Sequence, residues 1–258
     1  MPPRATWVEL IGSPSWLATI AVAGPRSRDV IASVAPDLDV SKEVFGFLEL
    51  RHTTLSNGLA ARICRITFSG ELAFEVDVPS WYGLATWELV AQAGAGLGIT
   101  SYGTEAMHVL RAEKAYPIVG HDTDGTVTPQ DLGMDWVVST KKKDFVGKRS
   151  FERLSHTGTV RKQWVSLHAV EGTTFLPKGT QVVETGTPLT PQDGPVPMIG
   201  WVTSSYRSQA LGRPLALALV TGGLDRIGER VAVVAGASVE CEIGDTVVYD
   251  KEGARRDG

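Results

Sequence analysis

Of the ionisable side chains in this sequence, Glu75 has the position that most asks for a reason. It sits in LAFEVDV (Leu72 to Val78), where Leu72, Phe74, Val76 and Val78 recur at the spacing of two that a half-buried strand requires. The alternation sends Ala73, Glu75 and Asp77 to the opposite face. The wider stretch RITFSGELAFEVDVP (Arg65 to Pro79) reads as two strands around a tight Ser69-Gly70-Glu71 turn, with Phe68 just before it. A carboxylate presents two acceptor oxygens. A flat heterocycle with a ring N–H beside an exocyclic amine presents two parallel donors that match them. A neighbouring aromatic can then cover the ring face. These residues permit that arrangement, and they equally permit a solvated strand glutamate.

Other candidates carry less. GAGLG (Gly94 to Gly98) follows a helix rather than a strand and has the wrong spacing for a dinucleotide loop, so it reads as a helix terminator. HDTDG (His121 to Gly125) suggests calcium, but the position eleven residues after Asp122 is Gly133, where a calcium loop needs a glutamate. With no CxxC and no HxxxH, no protein-bound metal is expected. His108 reads as a packed helix histidine. Lys141-Lys142-Lys143 is a solvated loop or a steering patch for an anionic ligand such as a polyglutamate tail. There is no GxSxG, and no catalytic residue is assigned. Cys64 and Cys241 each lie in an apolar run and read as buried thiols in a reducing, cytoplasmic setting.

The elements that would hold Glu75 in place can be read from the flanking text. LATIAVAG is a strand, broken by Gly24-Pro25 and followed by a helix over PRSRDVIASVAPD. WYGLATWELVAQAGAG is a second helix, with Leu84, Trp87 and Ala91 at helical spacing, and TEAMHVLRAEKA is a third. MDWVVST is a short strand-like piece. Beyond Arg153 the text changes to seven short apolar or alternating runs: WVSLHAV, TQVVE, MIGWVTSS, PLALALV, ERVAVVA, ASVECEI and DTVVYD. Evenly spaced strands of this kind suggest a closed antiparallel barrel. The expected fold is therefore α+β, with an α+β domain over residues 1–155 and a small antiparallel β-barrel over 156–258. Net charge of −4 argues against nucleic acid or an anionic membrane as the partner. No apolar run approaches the roughly 20 residues that span a bilayer. MPPRATWVELIGS lacks a signal-peptide core.

Taken together, SGELAFEV, LRAEKAYPIVGHDTDGTVTPQDLGMDW and DFVGKRSF resemble, in order and spacing, the glycine-cleavage T-protein (aminomethyltransferase) family. Within that superfamily TSYGTEAMHVLRAEK, VGHDTDGTVTPQDLGM and VTSSYRSQALGR are similar to the carboxy-terminal part of heterotetrameric sarcosine oxidase alpha subunits. The resemblance implies a T-protein-like folate-binding α+β domain, here truncated to its second half, followed by the barrel. It implies that Glu75 binds the pterin ring of tetrahydrofolate. Phe68 takes the place of a stacking tyrosine without its hydroxyl, and Tyr116 matches an aromatic set against the folate. Met107 stands where the family has a cofactor-contacting arginine. Arg111 and Glu113 match residues that either touch the ligand or form a helix-to-loop ion pair.

The implied function is capture of the one-carbon unit from sarcosine oxidation as 5,10-methylenetetrahydrofolate, the isolated chain itself lacking activity. FAD, FMN and NAD are expected only in the rest of a full complex. The expected partners are folate, other sarcosine oxidase subunits or a missing N-terminal half, and a second copy of the chain. The alternatives are a stand-alone aminomethyltransferase-like enzyme, or a non-catalytic subunit-interaction module that has lost folate binding.

Overall fold

The computed structural model describes residues 17–152, 160–190 and 194–258. The N-terminal stretch noted for its lack of a signal-peptide pattern, and most of the polar stretch at the expected domain boundary, lie outside the described residues. The chain packs as two compact units, residues 1–104 with 252–258 and residues 105–251. This packing division falls earlier than the change of sequence character near residue 155. The reason is the helix that begins at Thr104, whose buried end is bonded into the second unit.

In the first unit, strands β1 (Leu17–Ala23), β2 (Leu50–Thr54), β3 (Ala60–Cys64) and β4 (Ala73–Pro79) form an antiparallel sheet in the order β1-β4-β3-β2. Asn57-Gly58, with Gly58 at φ +84, makes the turn between β2 and β3. Helices α1 (Ser27–Val34) and α2 (Gly83–Gly94) share one core with the sheet. Ile20 and Val22 of β1, Phe74, Val76 and Val78 of β4, Val30, Ile31 and Val34 of α1 and Val90 of α2 all lie in it. The expected alternation in β4 therefore holds on its apolar face.

Two local expectations are corrected. The tight turn at Ser69-Gly70-Glu71 is instead a connection from Arg65 to Leu72, because the strands end at Cys64 and resume at Ala73. Side-chain bonds take the place of the ladder there: the Gly70 N–H donates to Thr67 Oγ1 at 3.1 Å and the Glu71 N–H to Ser69 Oγ at 3.4 Å. Helix α2 forms as expected but buries Thr86, Val90 and Gly94. Leu84 is 71% exposed and Trp87 47%. The helix packs by its small residues. A Cβ at Gly83 would lie 2.9 Å from Ala18 Cβ, and one at Gly94 2.6 Å from Ile99 Cβ.

In the second unit a helix, α3 (Thr104–Glu113), precedes a closed six-stranded barrel. Its strands are β5 (Lys162–Ala169), β6 (Gln181–Glu184), β7 (Gly200–Ser208), β8 (Arg213–Thr221), β9 (Arg230–Ala235) and β10 (Ala237–Gly244), neighbouring in the order β10-β5-β8-β7-β6-β9. Six of the seven expected runs are strands. The seventh, DTVVYD, is not: the N–H groups of Val248 and Tyr249 both donate to the Glu113 carbonyl of α3 rather than to a barrel strand. MDWVVST is likewise not a strand, and Asp135–Val137 forms a 3-10 turn. Among the described residues no helix is long and apolar enough to cross a membrane.

The barrel is tightly constrained at Gly200. At Gly200 an added Cβ would lie 2.0 Å from the Leu219 carbonyl oxygen, so β7 and β8 meet only because the side chain is missing. Gly200→Ala should lower the stability of the barrel by on the order of 1–3 kcal/mol or more in denaturant unfolding, since backbone must move.

His168 of β5 accepts a hydrogen bond at Nδ1 from Arg213 Nη1 at 2.7 Å, which leaves its proton on Nε2, 3.0 Å from Ser166 Oγ. Burial, then the Arg213 charge, pushes its pKa from 6.5 to about 4. The unfolded chain binds this proton below 6.5 and the folded chain only below about 4, so acid favours unfolding. Thermal melts should show stability declining as pH falls between those values, and His168→Gln, which can keep both bonds, should flatten the decline. An unchanged slope in the variant would remove His168 as the cause.

Candidate functional site

On the sheet face away from the core, register places two three-strand rows side by side. In one, Thr19 of β1 and Arg62 of β3 flank Asp77 of β4. Thr19 Oγ1 donates to Asp77 Oδ1 at 2.6 Å, and Arg62 reaches Asp77 Oδ2 through Nε and Nη2, each at 2.8 Å. Both carboxylate oxygens of Asp77 are thus engaged, and the residue is 6% exposed.

In the next row Ala21 and Cys64 flank Glu75. Neither neighbour can neutralise a carboxylate. Among the described residues the Glu75 carboxylate makes no hydrogen bond and no ion pair, although the residue is half-buried. Burial and then the charge of Asp77 raise its pKa above the ordinary carboxylate value. A half-buried acid left without a protein partner, between two small side chains, has both room and capacity for an outside donor pair.

Two further groups lie within reach of its charge. The Tyr102 phenol, 44% exposed, has its pKa raised by burial and then by Glu75. The Cys64 thiol is raised by burial and by Asp77, with Arg62 opposing and Glu75 adding a little. Sequence reading did not single out Tyr102, Thr19 or Arg62. The last two are visible as a row only once strand register is known. Phe68 lies in the connection that leads into β4 and is 36% exposed.

The remaining sequence-derived residues belong to the second unit. Met107 is half-buried on α3, and one turn further on Arg111 is completely buried. The Arg111 guanidinium pairs with Asp122 of the HDTDG loop, donates to Ser204 Oγ at 2.8 Å and Tyr206 Oη at 3.1 Å, and reaches the Tyr116 carbonyl at 3.3 Å. Tyr116 returns a backbone N–H to the Arg111 carbonyl at 2.9 Å.

Asp122 is saturated in turn. Its Oδ1 accepts from Thr203 Oγ1 at 3.0 Å and from Ser204 Oγ, and its Oδ2 accepts from the Ile118 N–H at 3.0 Å. Adjacent strand residues ordinarily face opposite sides, and a register shift between Val202 and Ser204 lets both hydroxyls reach one carboxylate. Arg111 therefore forms a helix-to-loop ion pair whose two Nη groups are engaged by protein, while its buried Nε has no partner among the described residues. Glu113, the last residue of α3, is buried and accepts from Ser208 Oγ at 2.6 Å.

An α+β unit with two helices on one sheet face, joined in sequence to a closed antiparallel barrel, defines the class. Residues 5–142 match the model of the GCVT N-terminal domain, and residues 162–250 match the glycine cleavage T-protein C-terminal barrel domain. The chain belongs to the glycine cleavage T-protein family. It is 54% identical over 243 residues to the sarcosine oxidase subunit alpha of Corynebacterium sp. (strain U-96), covering 94% of this chain and 25% of that protein. It is 28% identical over 222 residues to an aminomethyltransferase of Clostridium botulinum (strain Okra / Type B1), covering 86% of this chain and 56% of that one. The chain thus spans about a quarter of the length of the alpha subunits it matches. A crystal structure of the glycine cleavage system aminomethyltransferase T from Bartonella henselae shares the fold, with a TM-score of 0.62 at 16% identity over 91% of this chain and 84% of that one.

The buried pair carries its own test. Arg111→Met should cost about 3–5 kcal/mol of stability in urea unfolding, because it strands Asp122 without its counter-charge. The double variant with Asp122→Leu should recover part of that loss. Equal, additive losses would show that the two side chains do not act as a pair.

Proposed function

We propose that this chain is a tetrahydrofolate-binding portion of a sarcosine oxidase alpha-type protein, and that it captures the one-carbon unit of sarcosine oxidation as 5,10-methylenetetrahydrofolate. The observation that carries the reading is Glu75: half-buried, unpaired among the described residues, and flanked by Ala21 and Cys64. The residues fit the ligand. The amine-bearing edge of a pterin offers two parallel N–H donors to the two oxygens of Glu75, and small neighbours leave room for a flat ring. Phe68 offers an aromatic face to the same ligand, and Tyr102 a phenol. Met107 and Tyr116 belong to the second unit, where Arg111 and Asp122 hold the loop that follows α3.

Tetrahydrofolate supplies the amine nucleophile that takes up the one-carbon unit. The contribution of this chain is to bind and orient. A positioned nucleophile outcompetes water for a species that hydrolyses in solution. Flavin chemistry with FAD and FMN, and NAD binding, would belong to the rest of a full assembly, whose other subunits are the proposed partners.

A second reading, a subunit-interaction module without folate, is favoured by one observation. The outer surface around α2 carries Trp81 at 87% exposure together with Leu84 and Trp87, an apolar set with no partner in the core of its unit.

Calorimetry with 5-formyltetrahydrofolate separates the two. The folate reading expects measurable binding that weakens by about 2–3 kcal/mol, or roughly 30- to 150-fold, in Glu75→Gln, which loses a charged two-point contact. Equal affinity in the variant contradicts the assignment of Glu75, and silence from the unmutated chain favours the interaction module.

A further inference from the structure

The two rows on the outer sheet face differ in kind, and the difference makes one of them serve the other. Asp77 and Glu75 stand two residues apart on one strand, so their side chains leave the same face as near neighbours. Asp77 cannot turn toward a ligand, because Thr19 holds one oxygen and Arg62 the other. It cannot leave either, being fixed from both flanking strands. Glu75, by contrast, is held by nothing beside it. We propose that Asp77 is a positioning residue for Glu75: clamped by Thr19 and Arg62, it keeps a fixed negative charge next to that carboxylate, so that the strength with which Glu75 accepts hydrogen bonds from a ligand depends on Asp77. The inference rests on the reading of Glu75 as the ligand-binding acid.

The physical reason is charge repulsion at short range in a half-buried setting. A nearby like charge makes an ionised carboxylate less stable and a better acceptor, so donors from a ligand gain more by meeting it. The other titratable or charged groups facing Glu75 are Cys64 and Arg62 on β3 and the Tyr102 phenol; β1 contributes only Ala21 in that row. Burial and Asp77, in that order, act on Glu75 in the same upward direction. Ligand binding through the ionised acid is accordingly lost as pH falls through the titration of Glu75, and Asp77 places that loss at a higher pH than the acid alone would show.

The experiment uses the full chain and two single variants that break the same ion pair with opposite effects on charge. Asp77→Asn removes the negative neighbour and can keep the Thr19 contact; Arg62→Gln leaves Asp77 uncompensated. The titration of the Glu75 carboxyl is followed by carbon-13 NMR without ligand, its resonance identified by its absence in Glu75→Gln. The inference expects the midpoint to move to lower pH in Asp77→Asn and to higher pH in Arg62→Gln. Movement in the same direction in both variants, as loosening of a shared structural pair would give, overturns it, and so does no movement in either. Affinity for 5-formyltetrahydrofolate against pH, measured on the same proteins, reads the function separately. Opposite midpoints without folate binding would uphold the role of Asp77 and sink the folate reading. Folate binding with unmoved midpoints would do the reverse.

Discussion

The period of two along β4 is the constraint on which the site depends. Phe74, Val76 and Val78 are drawn into the core beside Ile20, Val22 and Val90, and no residue between them can join them. Glu75 and Asp77 are consequently committed to the other face, and a slip of one residue would bury both acids and expose the aromatic. Once the acids are there, the neighbouring strands decide their fates. Thr19 and Arg62 occupy the oxygens of one, and Ala21 and Cys64 leave the other open. The ionic pairing of Asp77 is therefore part of what defines Glu75 as the available group. A sheet face with two free carboxylates side by side would repel itself, and one with two satisfied carboxylates would bind nothing.

The second unit depends on a different arrangement, an ion pair buried completely. Arg111 and Asp122 are both inaccessible; Ser204, Tyr206 and the Tyr116 carbonyl meet the two Nη groups of Arg111, Thr203, Ser204 and the Ile118 N–H meet Asp122, and Arg111 Nε has no partner among the described residues. Such a pair contributes little over an apolar substitute but is costly to break halfway. It fixes where α3 ends and where the HDTDG loop begins. The loop that looked like a calcium site in sequence is thus engaged in structure by its first aspartate, while Asp124 Oδ1 accepts from the Thr126 N–H at 2.7 Å and from its hydroxyl at 2.6 Å to close a local turn.

Much of the fold was legible because it rests on local periodicity. The alternation in β4, the helix after Gly24-Pro25, the glycine stop at Gly98, which adopts φ +76, and six barrel strands all follow from residue type and spacing. What escaped was set by tertiary contact. The face that α2 buries is chosen by close approach at Gly83 and Gly94, which outweighs the larger apolar area of Leu84 and Trp87. DTVVYD has the composition of a strand, but its backbone is spent on Glu113. Glu75 stood out as a candidate from its place in the alternation and from family resemblance. Its isolation was not, because only strand register shows that Ala21 and Cys64 flank it while Thr19 and Arg62 flank Asp77. The enclosure of Arg111 was legible only as one of two alternatives, since a helix arginine reads the same whether it faces a ligand or a buried aspartate.

The central claim is that Glu75 grips the amine-bearing edge of a folate ring. A crystal structure of this chain grown with 5-formyltetrahydrofolate tests it most directly. The account predicts pterin density with its ring N–H and exocyclic amine both within hydrogen-bond distance of the two Glu75 oxygens, and Asp77 still held by Thr19 and Arg62. Density for the ligand elsewhere, with Glu75 turned to solvent, would contradict it.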